Sequence, residues 1–290
     1  MRIPLDAAFL IGVAFVVTAC GSSAAGLSQV IEARRLASDL HIQFTKAADA
    51  SNRAVMADTD EASIAAADDA KESRQAVARN VQALTPLLPS LGYADEAAIL
   101  DRFKSQFETY RQLDDEILAL AVENSNVKAQ QLSFGAASEA VKNFRASLGA
   151  AVKTAASPNA WHAQAIAAQA AAAVLEIEAL QAPHIAESHD EAMTRIEAQM
   201  AAAESAARKS VEQLTAMLPA SAGPRLTEAG AALDKLDSVN DEIVELSRRN
   251  TNVRSLALSL GRKSAVTLEC DARLRELGDA LATHAFVATR

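Results

Sequence analysis

Asp115-Glu116-Ile117-Leu118 leads through Asn124-Ser125-Asn126-Val127-Lys128 to Leu132-Ser133-Phe134-Gly135. Asp241-Glu242-Ile243-Val244 leads through Asn250-Thr251-Asn252-Val253-Arg254 to Leu258-Ser259-Leu260-Gly261. Every position of one stretch lies 126 residues from its counterpart in the other. A constant offset over this length marks an internal duplication. It decides the fold, because each stretch closes a seam that runs back through its own repeat.

Upstream of the first copy, Leu100, Phe103, Phe107, Tyr110, Leu113, Ile117 and Leu120 step by threes and fours, the spacing of an apolar stripe along one helix. Before them, Leu27 to about Ala57 reads as a helix carrying Leu36, Leu40 and Phe44. A second helix carries Val77, Val81, Leu84 and Leu88 and ends near Pro89 with a Ser90-Leu91-Gly92 turn. Asp58-Thr59-Asp60-Glu61 has the short polar cap and following acid that open a helix. Gly135 offers a stop for the third helix, and Val141, Phe144 and Leu148 mark a fourth.

The plan then repeats. Ser188-His189-Asp190-Glu191 matches Asp58 to Glu61, and Val211, Leu214, Leu218 and Pro219 match Val81, Leu84, Leu88 and Pro89, at an offset of 130. The offset returns to 126 beyond the turn, so the second turn is four residues shorter. Leu226, Ala229, Leu233 and Leu236 stand for Leu100, Phe103, Phe107 and Tyr110, and Cys270 stands for Phe144. Pro183, where the first repeat has Arg53, is expected to kink or break its helix. The expected fold is all-α: two tandem antiparallel four-helix bundles, 32–153 and 161–290, joined by a linker at 154–160. Trp161 is expected to pack the bundles together.

Composition agrees. Half of the 290 residues are hydrophobic but only 4% are aromatic, with 10 Gly and 7 Pro, which favours close-packed helices over a turn-rich β fold. A net charge of −9 argues against nucleic acid, whose phosphates demand a basic surface. The two cysteines, Cys20 and Cys270, belong to no metal or redox motif.

Residues 1–31 read as a membrane anchor. No charge occurs from Ala7 to Ile31, and Arg2 and Glu32-Ala33-Arg34-Arg35 flank the stretch. Two readings compete. One is an uncleaved membrane helix, since about 20 apolar residues span a bilayer. The other is a lipoprotein signal to residue 19, with Val17-Thr18-Ala19-Cys20 as a lipobox and Cys20 lipidated. Either places the remainder outside the cytoplasm, with no second apolar stretch of membrane length to bring it back.

Candidate binding residues are few. Asn124 and Asn250 fall on the core-facing stripe, where each can fix helix register, break a turn or meet a polar ligand inside the bundle. His184, His189 and Met193 lie near Pro183 and are the candidates for a metal site, although their spacing does not share one straight-helix face. Enzyme signatures are missing: no phosphate-binding glycine loop, no HExxH and no GxSxG elbow occurs, and no cofactor is expected.

Leu84-Thr85-Pro86-Leu87-Leu88, the Phe107/Tyr110 pair, Asp115-Glu116-Ile117-Leu118-Ala119-Leu120 and the Asn-x-Asn before Leu-Ser-x-Gly resemble the four-helix-bundle periplasmic sensor domains of methyl-accepting chemotaxis proteins. The resemblance covers nearly all of both repeats. It implies a non-enzymatic, homodimeric sensory module on a bacterial inner membrane that binds a small solute or a solute-binding protein. It also implies a polar site in the first helix, where Asn52 and Arg53 stand. The family's HAMP linker and cytoplasmic signalling hairpin have no counterpart in this sequence, so a signal would pass through a partner protein. An adaptor of the cell envelope that binds other proteins through its bundle faces is the competing expectation.

Overall fold

A computed structural model describes residues 14–155 and 159–283, with side chains from residue 26. The chain is all-α, and no strand occurs among the described residues. In order it forms α1 (Ala14–Met56), α2 (Asp60–Ser90), α3 (Ala94–Glu123), α4 (Ser125–Leu132) and α5 (Ser138–Val152). Then follow α6 (Ala160–Ala186), α7 (Asp190–Met217), α8 (Gly223–Arg249), α9 (Thr251–Leu258) and α10 (Ser264–Thr283). One π turn, Ser133–Ala137, links α4 to α5, and another, Ser259–Lys263, links α9 to α10.

The chain divides into two compact units, but not at 154–160. Unit 1 takes the chain to Ala57, Glu61–Leu118 and the chain from Leu258 onward. Unit 2 takes Asp58–Asp60 and Ala119–Ala257. The expected boundaries at 32–153 and 161–290 are therefore corrected. The fourth helix of each repeat completes the core made by the other repeat's first three. Thus α5 brings Val141, Phe144 and Leu148 into unit 2 beside α6, α7 and α8. In the same way α10 brings Cys270, Leu274, Leu277 and Leu281 into unit 1 beside α1, α2 and α3.

The seam residues behave as their spacing predicts up to Ile117, while Leu120 is only half-buried. Leu100, Phe103, Phe107, Tyr110, Leu113 and Ile117 are all buried. In unit 1 the rings of Phe103 and Tyr110 meet Phe44 edge-on at 5.9 and 5.1 Å, and Phe107 stacks on Phe103 at 5.5 Å. Such pairs add about 0.5–1.5 kcal/mol each beyond their buried area. Unit 2 has Val174, Ala229, Leu233 and Leu236 in those places, and Phe144 on its fourth helix fills the space. Unit 1, with larger residues on α1 and α3, takes the small Cys270 on its fourth helix. Burial pushes the Cys270 thiol up to about 12, against about 8.5 for a free thiol. Iodoacetamide at pH 8 is expected to spare Cys270 in the native protein and to modify it only in denaturant, as mapped by peptide mass.

Several local expectations need correction. Gly135 does not stop a helix: the chain runs through it in a π turn, closed by the Ser138 amide on the Ser133 carbonyl. The stop comes earlier, at Asn124, where φ is +57°. The expected turn at Ser90–Gly92 does form. Gly92 takes φ +76° and the Tyr93 amide reaches back to the Leu88 carbonyl at 3.0 Å, closing the end of α2. Pro183 does not break α6 midway; it lies in the last turn, three residues before the helix ends at Ala186. The α7 cap is not Ser188. The carboxylate of Glu187 accepts the Ser188 and His189 amides, at 2.8 and 2.9 Å. Trp161 is 72% exposed and stacks on His162, so it does not serve as a packing anchor.

The membrane readings of residues 1–31, lipidated Cys20 included, fall largely on residues outside the described side chains. Among the described residues one helix, Ala160–Ala186, is long and apolar enough to cross a bilayer. The expectation that no such stretch follows the N-terminal one is corrected on that point. Ala163, Ile166, Ala170, Val174 and Ile177 of this helix are buried in the core of unit 2, so protein already covers its apolar face.

Candidate functional site

The two asparagines on the core stripe both adopt the left-handed conformation. Asn124 (φ +57°) and Asn250 (φ +54°) are the positive-φ non-glycine residues among those described. Asparagine tolerates this conformation better than branched or bulky residues do. Each breaks its helix and begins another, so α4 starts at Ser125 and α9 at Thr251.

The first amides of a helix have no partner within it. Here the two new helices cap one another inside unit 2. The Ser125 amide donates to Thr251 Oγ1 at 3.0 Å, and the Thr251 amide donates to Ser125 Oγ at 3.1 Å. The Asn126 amide donates to Asn252 Oδ1 and the Asn252 amide to Asn126 Oδ1, both at 3.1 Å. Asn126 Nδ2 reaches Asn250 Oδ1 at 2.9 Å, and Asn252 Nδ2 reaches Asn124 Oδ1 at 2.6 Å. Each contact has a mate with the repeats exchanged, the signature of a two-fold, self-complementary interface. Asn250 Nδ2 also holds the Glu187 carbonyl at 2.8 Å, and Asn126 Nδ2 holds that of Ile185 at 2.7 Å, so the end of α6 is tied in. Asn124 Nδ2 alone is left without a partner. Asn124 and Asn250 are thus engaged in helix termination, and both are buried.

Unit 1 carries a buried ionic layer that the sequence reading passed over. Asp114 is fully buried, Lys263 is 2% exposed and Arg74 is 9% exposed. The two Asp114 oxygens lie 2.8 Å from Lys263 Nζ and 3.2 Å from an Arg74 nitrogen. These are ionic contacts by distance. Lys263 donates to buried Ser51 and sits 5.3 Å from the centre of the Tyr110 ring. Arg74 reaches outward to Asp115 at 2.6 Å. Burial lowers the Lys263 pKa, with Asp114 opposing, and raises that of Tyr110, whose hydroxyl has no hydrogen-bond partner. A signal was present: Asp114 follows Tyr110 by four residues and Arg74 precedes Val77 by three, both core spacings.

Unit 2 has a neutral layer at the matching positions. Gln181 stands for Ser51, Asn240 for Asp114 and Ala137 for Lys263. Ser133 donates to Gln181 at 2.7 Å, and Gln181 donates to Asn240 at 3.1 Å. Arg74's place is taken by Glu204, which pairs with Arg208 at 2.9 Å.

Arg208 also meets Asp234 and Asp237, so three carboxylates share one guanidinium. Burial, then Glu204, raises Asp237 to about 7 against the opposing pull of Arg208. A carboxyl raised on folding contributes stability that is complete below about pH 4 and is lost as pH climbs through about 7. Thermal unfolding between pH 4 and 8 is expected to show that decline. Asp237→Asn should flatten it and leave the protein about 1–2 kcal/mol more stable at pH 8.

The metal candidates separate. His184 is fully buried, with Nδ1 on Ser247 Oγ at 2.5 Å and Nε2 on Glu197 at 2.8 Å, so both ring nitrogens are taken. A hydrogen bond from Arg248, ahead of that from His184, holds Glu197 below the usual carboxylate range. His189 is exposed at the head of α7 and Met193 is buried. No group of three His, Cys, Asp or Glu among the described residues is arranged to hold a metal ion.

Asn52 and Arg53 are exposed on α1. Ser259 donates to the Asn52 side chain at 3.2 Å, and Arg53 pairs with Asp69 at 3.1 Å. Arg53 lines a groove of about 540 Å³ between α1 and α2, along with Lys46, Asp49, Asp69, Glu72 and Arg79. Both signs of charge line this groove, and it lies in the same unit as the ionic layer. Compared with known proteins, the chain matches no protein-family model and no curated relative.

Proposed function

We propose that this protein is a non-enzymatic, sensor-like binding protein, held at a bacterial inner membrane by its N-terminal segment and relaying a ligand through a partner protein. The observation that carries the reading is the Arg74–Asp114–Lys263 layer in unit 1. A buried ion set adds little net stability over apolar packing of the same volume. It does penalise any packing in which one member loses its partner. Helices joined in this way favour discrete arrangements over gradual deformation, and a sensor needs discrete arrangements to select between. The mixed-charge groove beside Arg53 offers a small zwitterion or organic acid groups of both signs.

The resemblance to chemoreceptor sensor domains points the same way. The test is a thermal-shift screen of the detergent-solubilised full chain against amino acids, organic acids and divalent metals. Stabilisation by an organic solute, lost in Arg53→Ala or Arg79→Ala, supports the reading. Stabilisation by metal alone, or solute binding indifferent to both substitutions, refutes it.

A second reading, an envelope adaptor, is favoured by one specific observation. Phe134 and Leu260, at matching positions in the two π turns, are 71% and 72% exposed. Silence in the solute screen, together with a protein partner lost in Phe134→Ser, would favour this reading instead.

A further inference from the structure

We propose that the two repeats are obligate complementary partners: each docks only the other, in cis or from a second copy of this chain, and Cys270 against Phe144 is the pairing code. Two observations meet here. The first is the asparagine junction, whose contacts are self-complementary. Ser125 and Asn126 cap Thr251 and Asn252 and are capped by them in return. These mutual caps do not tell one repeat from the other, although the ties to Ile185 and Glu187 belong to the end of α6 alone. Ser125 against a second Ser125, and Asn126 against a second Asn126, would satisfy the same amides. By themselves the caps would let like repeats pair.

The second observation is the exchanged fourth helix, and here the symmetry fails. Unit 1 holds Phe44, Phe103, Phe107 and Tyr110 in one core with Cys270. Unit 2 holds Val174, Ala229, Leu233 and Leu236 in one core with Phe144. Were two N-terminal repeats to pair, Phe144 would enter the aromatic cluster where a thiol now sits. Overpacking of that size displaces side chains and backbone at substantial cost. Were two C-terminal repeats to pair, Cys270 would face the smaller set and leave a void where a phenyl ring now packs, which is also costly. Only the unlike pairing fills both cores.

The polar layers repeat the logic. Lys263, on the turn before α10, is the partner of Asp114 in unit 1. At its place the turn before α5 carries Ala137. A like pair of N-terminal repeats would leave Asp114 without its lysine. A like pair of C-terminal repeats would bring Lys263 to Asn240, with the carboxylate of Glu204 in Arg74's place. Core volume therefore rejects both like pairs and core charge rejects the N-terminal one, an example of specificity through penalised alternatives.

The test uses the full chain in detergent, with a protease site introduced between Ala155 and Asn159 and cleaved after folding. Two batches carry different tags on their N-terminal pieces and are mixed below the unfolding midpoint, and one tag is captured. The expected result is a one-to-one complex of N-terminal and C-terminal pieces at the size of the uncut chain, with the second N-terminal tag absent from the capture. Folded pieces that separate after cleavage would overturn the exchange. Co-capture of both N-terminal tags from the unsubstituted chain would overturn the code.

A gain-of-function arm guards against uninformative loss. Phe144→Cys with Ala137→Lys gives the N-terminal piece the core-facing features of α10, and both tags should then be captured together. Continued absence of the second tag would refute the assignment of the code to these residues.

Discussion

Asp114→Ala is expected to lower the unfolding free energy by about 3–5 kcal/mol, the range for removing one partner of a buried ion pair. The substitution deletes a small side chain, so lost packing alone would cost far less. The effect comes from what stays behind: Lys263, almost wholly buried, and the inner face of the Arg74 guanidinium, both facing a space without counter-charge. Arg74 can turn further toward Asp115, but Lys263 keeps only the Ser51 hydroxyl and the face of the Tyr110 ring. Replacing the pair together, as Asp114→Leu with Lys263→Met, is expected to restore stability to within about 1–2 kcal/mol of the parent, because apolar volume then replaces both ions. Urea unfolding with a common m-value measures both. A loss under about 1 kcal/mol for Asp114→Ala would show that water reaches the layer and that the charges are not a working part of the core.

The second large effect is expected at the junction. Asn250→Ala should cost about 2–4 kcal/mol. Alanine in the left-handed region accounts for about 1–2 of this. The rest is the loss of the contacts to Asn126 Nδ2 and to the Glu187 carbonyl, since buried polar groups left unpaired cost about 1–3 kcal/mol. Asn250→Gly keeps the backbone conformation at little strain and so isolates the hydrogen-bond share. Asn124→Ala should cost less than Asn250→Ala, because Asn124 makes the single contact to Asn252 and its Nδ2 is already unpartnered. The order Asn250→Ala, then Asn124→Ala, then the glycine variants is checked by denaturant midpoints. Equal losses at both asparagines would show that backbone strain alone sets the cost.

Much of this architecture was legible in the chain. The seam from Leu100 to Ile117 and the repeat offset identified helices and duplication, because burial follows the 3.6-residue period directly. The same seam projected onto Asn124 and Asn250 and marked them as polar residues in the core. What could not be read was where each fourth helix goes. Val141, Phe144 and Leu148 form an equally good apolar face whichever repeat they cover, since periodicity states that a face is buried and not against what. A left-handed asparagine redirects the chain without changing that pattern. Gly135 misled for a related reason: glycine permits a stop but does not impose one, and a π turn used the position instead. The ionic layer escaped because charged residues are ordinarily solvated. Only Lys263 arriving from far along the chain makes Asp114 and Arg74 a core feature.

The exchange of fourth helices also sets an order in time. Unit 2 is nearly continuous in sequence, from Ala119 to Ala257, so it can close as soon as that segment exists. Unit 1 cannot. Arg34 on α1 holds the carbonyl of Leu281, 247 residues away, and His41 pairs with Asp271 across 230. A core that depends on such distant contacts forms slowly, and during vectorial synthesis the first three helices wait for the last. Phe44, Phe103, Phe107 and Tyr110 lack their cover for nearly the whole of that interval. The part of the chain made first is thus the part finished last, and its unfinished aromatic face is where chaperone dependence and aggregation should concentrate.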